Sequence, residues 1–258
     1  MSITRLTARK DIRTHLQHYD RIWAAYAWAD LAPGLFEDCQ WYASPEALLL
    51  IYNGLQPPIA LGMGHSAQLA EMVGALPAGR YTLSWPAAAL STLQASFAVQ
   101  SVPMFRMLLD RSTFKQPNTR PHHGDIRPLS IADAPAVATL IAPSHGTEED
   151  IDGFAPAQMA DDIFFGAYIE SELVAVAGTH VYAPDEGIAD IGNVYVRHDH
   201  RRQGWGLVLA ALVTAKLIEQ GIETIFLNVR QSNQTAQRIY QKLGYQVNCP
   251  FYEGYVQT

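Results

Sequence analysis

The chain has 258 residues, of which 48% are hydrophobic and 17% charged, with two cysteines and a formal net charge of −7. This length is too great for a disulfide-stapled miniprotein and suits one large or two ordinary domains. No run approaches the roughly 18 apolar residues that span a bilayer, and the N-terminus has no apolar signal core, so we expect no membrane association. The widely separated Cys39 and Cys249 form neither a metal-knuckle spacing nor a secreted framework. We therefore expect a reducing, cytoplasmic environment.

The charge is unevenly divided along the chain. Residues 1–120 hold 10 basic and 8 acidic side chains, whereas residues 121–258 hold 8 basic and 17 acidic ones. An acidic half disfavours binding to a phosphate backbone and mildly favours a cationic partner. The sequence therefore predicts no nucleic-acid partner.

The first half alternates between helical and extended patterns. Residues 10–31 are rich in Trp, Tyr and Ala at near-helical spacing. A second helical segment stops before Pro77, because proline cannot continue a helix. The predicted helices are residues 10–31, 66–76 and 87–97, and the predicted strands are residues 40–43, 48–52, 59–61, 81–85 and 102–109.

A linker separates the two halves. Residues 112–126 contain Pro117, Pro121 and Gly124 and almost no apolar side chains, which is typical of a surface segment. We predict an N-terminal α/β domain at residues 1–115, a linker at 116–123 and a C-terminal domain at 124–258.

The second half predicts the order β-α-β-β-β-α-β-α-β, which gives a mixed α/β sheet with helices on both faces. The two halves share this kind of element order, which is compatible with a divergent duplication. The predicted strands are residues 125–128, 164–169, 173–182, 189–196, 223–229 and a last one from residue 245, and the predicted helices are residues 131–141, 204–220 and 233–243.

The strongest functional signal is the glycine-rich loop that follows residue 196. A strand ends, a polar loop carries Arg201 and Arg202, and Gly204 and Gly206 open a long apolar helix. The first turn of a helix leaves about four N–H groups unpaired at the positive end of the dipole. Glycines let a phosphate approach that backbone without meeting a Cβ. The pattern therefore predicts a pyrophosphate-binding site.

The spacing Arg201-x-x-Gly204-x-Gly206 resembles the coenzyme A loop of the GNAT superfamily of N-acetyltransferases. The resemblance covers about residues 124–258 and includes a downstream Asn-x-x-Ala-x-x-x-Tyr pattern formed by Asn233, Ala236 and Tyr240. It implies a GNAT-like acyltransferase fold with acetyl-CoA as the acyl donor. The N-terminal half, which lacks this loop, is then interpreted as a degenerate GNAT-like domain, giving two such domains in tandem.

The resemblance also implies which residues hold the donor. The strand end would expose its main chain to the acetyl-pantetheine arm, with the N–H of Val196 on the acetyl carbonyl. Asn233 would contact pantetheine, although an Asn there is equally typical of a helix N-cap. The residues implied in binding the donor are Val194, Tyr195, Val196, Arg201, Arg202, Gln203, Gly204, Trp205, Gly206, Leu207, Asn233, Ala236 and Tyr240.

Two residues are candidates for proton transfer. Tyr240 lies four residues after Ala236 on one helix face and matches the family's thiolate-protonating tyrosine, while a core aromatic would have the same pattern. Asp190 lies six residues before Val196, so the pleat puts both on one face unless a bulge intervenes. Some members of the family carry a catalytic Glu at the matching place, so the resemblance implies Asp190, a shorter side chain, as the candidate general base. Its alternative is a solvated carboxylate at a strand end. Glu148, Glu149 and Asp150 are candidates to attract a cationic amine, but an acidic run is more often a solvated face.

Two other patterns are interpreted as structural. The segment with Gly62 and Gly64 fits a dinucleotide fingerprint, but no acidic residue lies between Glu71 and Asp110, where the fingerprint requires one. His198 and His200 have no third ligand at a matching spacing, so no metal is predicted.

The sequence thus predicts an N-acetyltransferase that passes an acetyl group directly to a primary amine in a ternary complex. The acceptor is expected to be a small molecule, of unspecified identity. A non-catalytic acyl-CoA-binding module and an N-acyltransferase for longer acyl groups, like glycine N-acyltransferases, are the alternatives. The sequence leaves the oligomeric state open.

Overall fold

The computed structural model describes residues 2–118, 121, 123–144, 154, 156–160 and 163–258. The chain divides into two compact units. The first unit comprises Met1–Arg106, Arg230–Ser232 and Val247–Thr258, and the second comprises Met107–Val229 and Asn233–Gln246. The units therefore differ from the contiguous domains that the linker suggested. The difference arises because the last strand of the chain pairs with strands of the first unit.

The helices and strands are numbered in chain order. In the first half they are β1 (Thr4–Leu6), α1 (Arg9–Leu16), α2 (Ala25–Ala29), β2 (Cys39–Ser44), β3 (Ala47–Tyr52), β4 (Ile59–Gly64), α3 (Ser66–Gly74), β5 (Arg80–Pro86), α4 (Leu90–Ser96) and β6 (Val99–Leu109). They continue with β7 (Asp125–Leu129), α5 (Ala134–Ile141), β8 (Phe164–Ile169), β9 (Glu172–Ala183), β10 (Ile188–Val196), α6 (Trp205–Glu219), β11 (Thr224–Arg230), α7 (Gln234–Leu243) and β12 (Tyr245–Gln257). The predicted order of the second half is confirmed.

The long helix predicted over residues 10–31 is wrong in extent. Two short helices, α1 and α2, take its place. Between them the Asp20 carboxylate accepts a hydrogen bond from the N–H of Trp23 at 2.8 Å. A short acidic side chain that bonds the backbone three residues on competes with helical hydrogen bonding, so the helix is interrupted here.

The first unit is built on a mixed sheet in the order β1-β2-β3-β4-β5-β12-β6. Strands β4 and β5 are parallel to each other, and the crossover helix α3 connects them. Residues 251–257 of β12 run antiparallel to β5, from Phe251 opposite Pro86 to Gln257 opposite Arg80. The C-terminal strand is thus an integral part of this unit.

In the first unit, the parallel pairing of β4 with β5 stops before either strand ends. Ile59–Leu61 pair with Thr82–Ser84, and the next residue of β4 is Gly62. A Cβ on Gly62 would lie 2.5 Å from the ring of Trp85, a side chain that is 1% exposed. The glycine therefore leaves room for an aromatic ring where the strands diverge. This packing role explains Gly62 of the apparent dinucleotide fingerprint.

The second unit contains the sheet β11-β10-β9-β8-β7, in which β10 and β11 are parallel and the other pairs antiparallel. Phe164 of β8 packs in a core cluster with residues of α5. Its neighbour Phe165 lines a cavity with Trp205 and Val208 of α6. Because adjacent strand residues point to opposite faces, α5 and α6 cover opposite faces of this sheet. The predicted mixed α/β class is confirmed.

Helices long and apolar enough to cross a membrane do not occur among the described residues.

Candidate active site

The centre of the site is a split between two parallel strands of the second unit. Ile188, Ala189 and Asp190 of β10 pair with β11, and Asp190 lies opposite Phe226 at the end of this register. β10 then continues for six more residues to Val196. Parallel strands that diverge expose main-chain N–H and C=O groups, which a bound molecule can use in place of the ladder. The strand end that the sequence singled out therefore borders the split.

Two irregularities distort β10 beside this split. Its register with β9 shifts between Asp190 and Ile191 and again between Gly192 and Tyr195. Within the second shift, Asn193 has φ +53° and donates its side-chain amide to the Thr179 carbonyl at 3.0 Å. The predicted common face of Asp190 and Val196 depended on an unbroken pleat, so that argument is wrong for this strand.

The side chains at the end of β10 differ in burial. Tyr195 is 8% exposed and packs in the core with Val137 of α5, as expected for its position opposite Val196. Val194 and Val196 are half-buried. A ligand at this strand end would therefore meet the main chain of Tyr195 and the flanks of the two valines.

The two loop arginines have different environments. Arg201 directs its Nε–H to the carbonyl of Val196 at 3.0 Å, and its guanidinium lies 5.8 Å from the Tyr195 ring centroid. Arg202 is exposed and has φ +62°. Arg201 thus ties the loop to the strand end, whereas Arg202 is the arginine directed to solvent. The sequence did not distinguish these roles, because both arginines lie next to each other in the same polar loop.

The N-terminus of α6 has the features of a phosphate cradle. Gly204 is the N-cap, with φ +93° and no capping side chain, and helical bonding begins when the Val208 N–H donates to the Gly204 carbonyl at 3.1 Å. The N–H groups of Trp205, Gly206 and Leu207 therefore have no acceptor within the helix. A Cβ added at Gly204 would meet no atom within 4 Å, so the space before these donors is open.

This arrangement fits a pyrophosphate group. The donors lie at the positive end of a 15-residue helix, and the exposed Gln203 and Arg202 precede them. Trp205 is 2% exposed, and its indole N–H lies 3.4 Å from the Gln203 side-chain oxygen. The tryptophan thereby anchors the first turn while its backbone N–H stays at the helix end.

Asn233 is the N-cap of α7. Its Oδ1 accepts a hydrogen bond from the N–H of Ala236 at 3.0 Å. The capping interpretation of Asn233 is confirmed, and its contact with pantetheine stays a prediction that would use the Nδ2 donors. Ala236 is half-buried one turn before Tyr240.

Tyr240 is buried next to a second tyrosine. It is 7% exposed, and its ring meets that of Tyr245 edge to face, with centroids 6.0 Å apart. The Tyr245 hydroxyl is hydrogen-bonded to Thr214 of α6 at 3.0 Å, and Thr214 donates to the Ala210 carbonyl. This supporting pair was missed, since its members are 31 residues apart and neither belongs to a local motif.

Asp190 interacts electrostatically with Tyr240 and Tyr245. It is 3% exposed, so the interpretation as a solvated strand-end carboxylate is wrong. Burial, and second the negative charge of Asp190, raise the pKa of Tyr240 above its ordinary value. The pKa of Tyr245 is raised in the same way, mainly by burial. Both phenols therefore stay protonated at neutral pH. Asp190, at the end of the β10–β11 register, thus lies close enough to Tyr240 to act on it electrostatically.

The remaining candidates lie elsewhere. Glu148, Glu149 and Asp150 are outside the described residues. His200 lies 2.6 Å from the Arg197 guanidinium and 3.5 Å from the Asp199 carboxylate, and His198 is exposed, so both belong to a polar surface turn. Among the residues that the structure describes, no group of three or more His, Cys, Asp or Glu side chains could hold a metal ion.

Part of the second unit is similar to known proteins. Residues 134–245 match the model of the Acetyltransferase (GNAT) family. The ribosomal protein bS18-alanine N-acetyltransferase of Escherichia coli strain K12 is 29% identical over 120 residues, which cover 46% of this chain and 79% of that protein.

Solved structures extend the likeness to the whole chain. A GCN5-related N-acetyltransferase from Kribbella flavida gives a TM-score of 0.63 at 18% identity, covering 91% of this chain and 95% of that one. A tandem GNAT protein from the clavulanic acid biosynthesis pathway gives 0.60 at 12% identity, covering 100% and 98%. At such identities the likeness concerns the fold. The predicted GNAT-like fold, with two such domains in tandem, is confirmed.

Proposed function

We propose that the protein transfers the acetyl group of acetyl-CoA to a primary amine, directly and within a ternary complex, because residues 134–245 match the model of the Acetyltransferase (GNAT) family. The observation that carries this proposal is a buried, protonated Tyr240 that is influenced by the charge of Asp190 at the β10–β11 split, in the same unit as the open N-terminus of α6. A phosphate cradle alone would suit any coenzyme A ligand. A phenol held protonated in a buried setting adds the acid that thiol release requires.

The donor would be held by main-chain groups. When bound, acetyl-CoA supplies an activated thioester carbonyl and a thiol leaving group. The N–H groups of Trp205, Gly206 and Leu207 would bind its pyrophosphate, with Arg202 adding positive charge. The N–H of Val196 would polarise the acetyl carbonyl and stabilise the oxyanion that develops there.

The proposed reaction transfers the acetyl group from the thioester sulfur to the amine nitrogen. The amine nitrogen attacks the thioester carbonyl carbon, a C–N bond forms and the C–S bond breaks. Tyr240 donates its hydroxyl proton to the departing sulfur, and a base takes one proton from the amine. The products are an N-acetyl amide and the free thiol of coenzyme A. Asp190 is the base predicted from the sequence.

Thiol release tests the proposal. We expect the purified chain to release thiol from acetyl-CoA when an amine is present, in a panel of polyamines, amino acids, aminoglycosides and a peptide with N-terminal alanine. The peptide is included because the Escherichia coli relative is named for an alanine N-acetyltransferase activity. Butyryl-CoA and benzoyl-CoA serve as longer donors. Tight acetyl-CoA binding with no turnover would instead indicate a binding module, and preference for a longer donor would indicate a different acyl group.

The chain's cysteines suit the cytoplasmic location that we propose for this activity. Cys39 and Cys249 are both free thiols. Free, unpaired thiols are typical of proteins in reducing compartments.

The two loop arginines should respond differently to substitution. Arg202→Ala should weaken acetyl-CoA binding about tenfold at low ionic strength, and this loss should shrink as salt screens the charge. Arg201→Ala removes the bond to the Val196 carbonyl, so it should also lower the free energy of unfolding by about 1–2 kcal/mol. Calorimetric titration at two salt concentrations and urea unfolding measure both quantities. Equal stability losses in the two variants would contradict the structural role of Arg201.

A further inference from the structure

His180 occupies a bulge directly beside the β10–β11 split. On β9, Val181 pairs with Asp190 and Thr179 pairs with Ile191, so His180 is an extra residue between two consecutive pairs. Such bulges bend a strand locally and change the direction of a side chain. The backbone of the bulge is held from outside the sheet, because the Gln158 side chain donates to the His180 carbonyl at 3.1 Å.

Gly192 makes room for the histidine. A Cβ on Gly192 would lie 2.6 Å from the Cβ of His180 and 3.5 Å from its Cγ. Any larger residue at 192 would therefore displace the imidazole. Gly192 lies on β10 between Asp190, where the strands begin to part, and Val196, whose N–H is proposed to contact the acetyl carbonyl. His180 is thus held against the part of β10 that borders the split.

His180 lies on the α5 face of the sheet. Gly178 pairs with Gly192, and a Cβ on Gly178 would strike the ring of Phe164, which packs with α5. Paired residues share a face, so Gly192 and the adjacent His180 lie on the α5 face. The negative charge of Asp190 acts on Tyr240 and Tyr245 and helps to keep both phenols protonated.

His180 is half-buried, whereas Asp190 is 3% exposed, so the imidazole is the more accessible of the two side chains to an amine. Burial lowers the pKa of His180 below its ordinary value, so the imidazole is neutral at pH 7 and able to accept a proton. Asp190 and Tyr195 are ionisable side chains of β10, the strand that pairs with β9 at this bulge.

We propose that His180, rather than Asp190, takes the proton of the amine, and that Gly192 is required to position it. This inference rests on the acetyltransferase function proposed above. As the C–N bond forms, the ring nitrogen of His180 accepts one N–H proton and becomes imidazolium, while Tyr240 gives its proton to sulfur. Solvent exchange afterwards returns both residues to their starting protonation states, so the cycle consumes only the acetyl donor and the amine. Asp190 serves to keep the phenol protonated.

The test compares His180→Ala, His180→Gln, Gly192→Ala and Asp190→Asn, using the amine with the highest wild-type rate in the thiol-release assay. Both His180 variants should lose about 10²-fold in kcat with an unchanged Kd for acetyl-CoA, which also reports that they are folded. Added imidazole should restore part of the rate of His180→Ala and none of that of His180→Gln, whose side chain fills the space. Gly192→Ala should lose rate by displacing the imidazole.

Two matched controls separate these effects from general damage. His18→Gln changes an exposed histidine of the first unit, and Gly74→Ala adds a Cβ whose nearest contact, with Phe97, is an ordinary 3.5 Å. Both should keep the wild-type rate.

A wrong assignment of the base and a wrong assignment of the function would give different results. Full activity of His180→Gln, or a loss of rate in Asp190→Asn that far exceeds the loss in His180→Gln, would overturn the assignment while leaving the acetyltransferase function in place. A wild-type chain that binds acetyl-CoA but acetylates none of the amines would overturn the proposed function and the base together.

Discussion

Tyr240→Phe is expected to lower kcat about 10²-fold or more while leaving the Kd for acetyl-CoA unchanged. The substitution removes the hydroxyl proton from a buried ring and preserves the ring's packing against Tyr245. A positioned general acid typically contributes 10²–10⁴-fold to a rate, which is the range expected here. Initial rates of thiol release at saturating donor and amine measure kcat, and calorimetric titration measures the Kd.

The neighbouring Tyr245→Phe is the matched control. Its hydroxyl bonds Thr214 and not the proposed reacting atoms, and Thr214 keeps its bond to the Ala210 carbonyl. We expect near wild-type kcat and a free energy of unfolding lower by about 1 kcal/mol. If Tyr240→Phe retained full turnover, or if Tyr245→Phe lost as much as Tyr240→Phe, the assignment of the acid to Tyr240 would be wrong.

The pH dependence offers a second check on Tyr240. Burial and the Asp190 charge both disfavour the phenolate, so the pKa of Tyr240 is raised. A raised pKa means that the acid stays protonated through the ordinary tyrosine pKa of about 10. We therefore expect kcat not to fall between pH 8 and pH 10. A tyrosine-dependent loss of kcat centred below pH 10, absent from Tyr240→Phe, would contradict this environment.

Gly204→Ala is expected to weaken acetyl-CoA binding about tenfold or more. Its added methyl group enters the open space before the N–H groups of α6, where the pyrophosphate is proposed to lie. Losing one charge-assisted hydrogen bond costs about 1.5–3 kcal/mol, and 1.4 kcal/mol corresponds to a factor of ten in Kd. Because Gly204 has φ +93°, an alanine there also strains the backbone by about 1–2 kcal/mol.

Gly221→Ala isolates the strain from the binding effect. Gly221 follows the other end of α6, has φ +81° and, like Gly204, has no atom within 4 Å of an added Cβ. The two variants should lose similar free energy of unfolding in urea titrations, but Gly221→Ala should bind acetyl-CoA as the wild type does. Equal affinity of both variants for acetyl-CoA would remove the pyrophosphate from the α6 N-terminus.

The sequence predicts the second unit well because its elements have strong local signals. Gly204 and Gly244 border two helices whose observed bounds agree with the predicted ones to within one residue. The phosphate cradle depends on the same local features, namely a strand end, a polar loop and an apolar helix. A local motif of this kind is readable without knowledge of tertiary contacts.

The parts that were missed depend on contacts between distant residues. An extra residue of β10 between Gly192 and Tyr195 breaks the regular pleat, and no local pattern reports it, so the common face predicted for Asp190 and Val196 does not hold. The Tyr245–Thr214 bond, between residues 31 positions apart, is equally non-local. Pairing partners of a strand are set by the whole sheet, which is why the division into units was also missed.

The pairing of β12 with β5 has a consequence for how the protein is made. The first unit needs residues 247–257 to complete its sheet, and the ribosome synthesises these after the main part of the second unit. The second unit is therefore encoded as an insertion within the first. During translation the second unit can assemble its strands β7 to β11 while the first unit still lacks the strand between β5 and β6. The sheet of the first unit can therefore be completed only after the second unit has been synthesised.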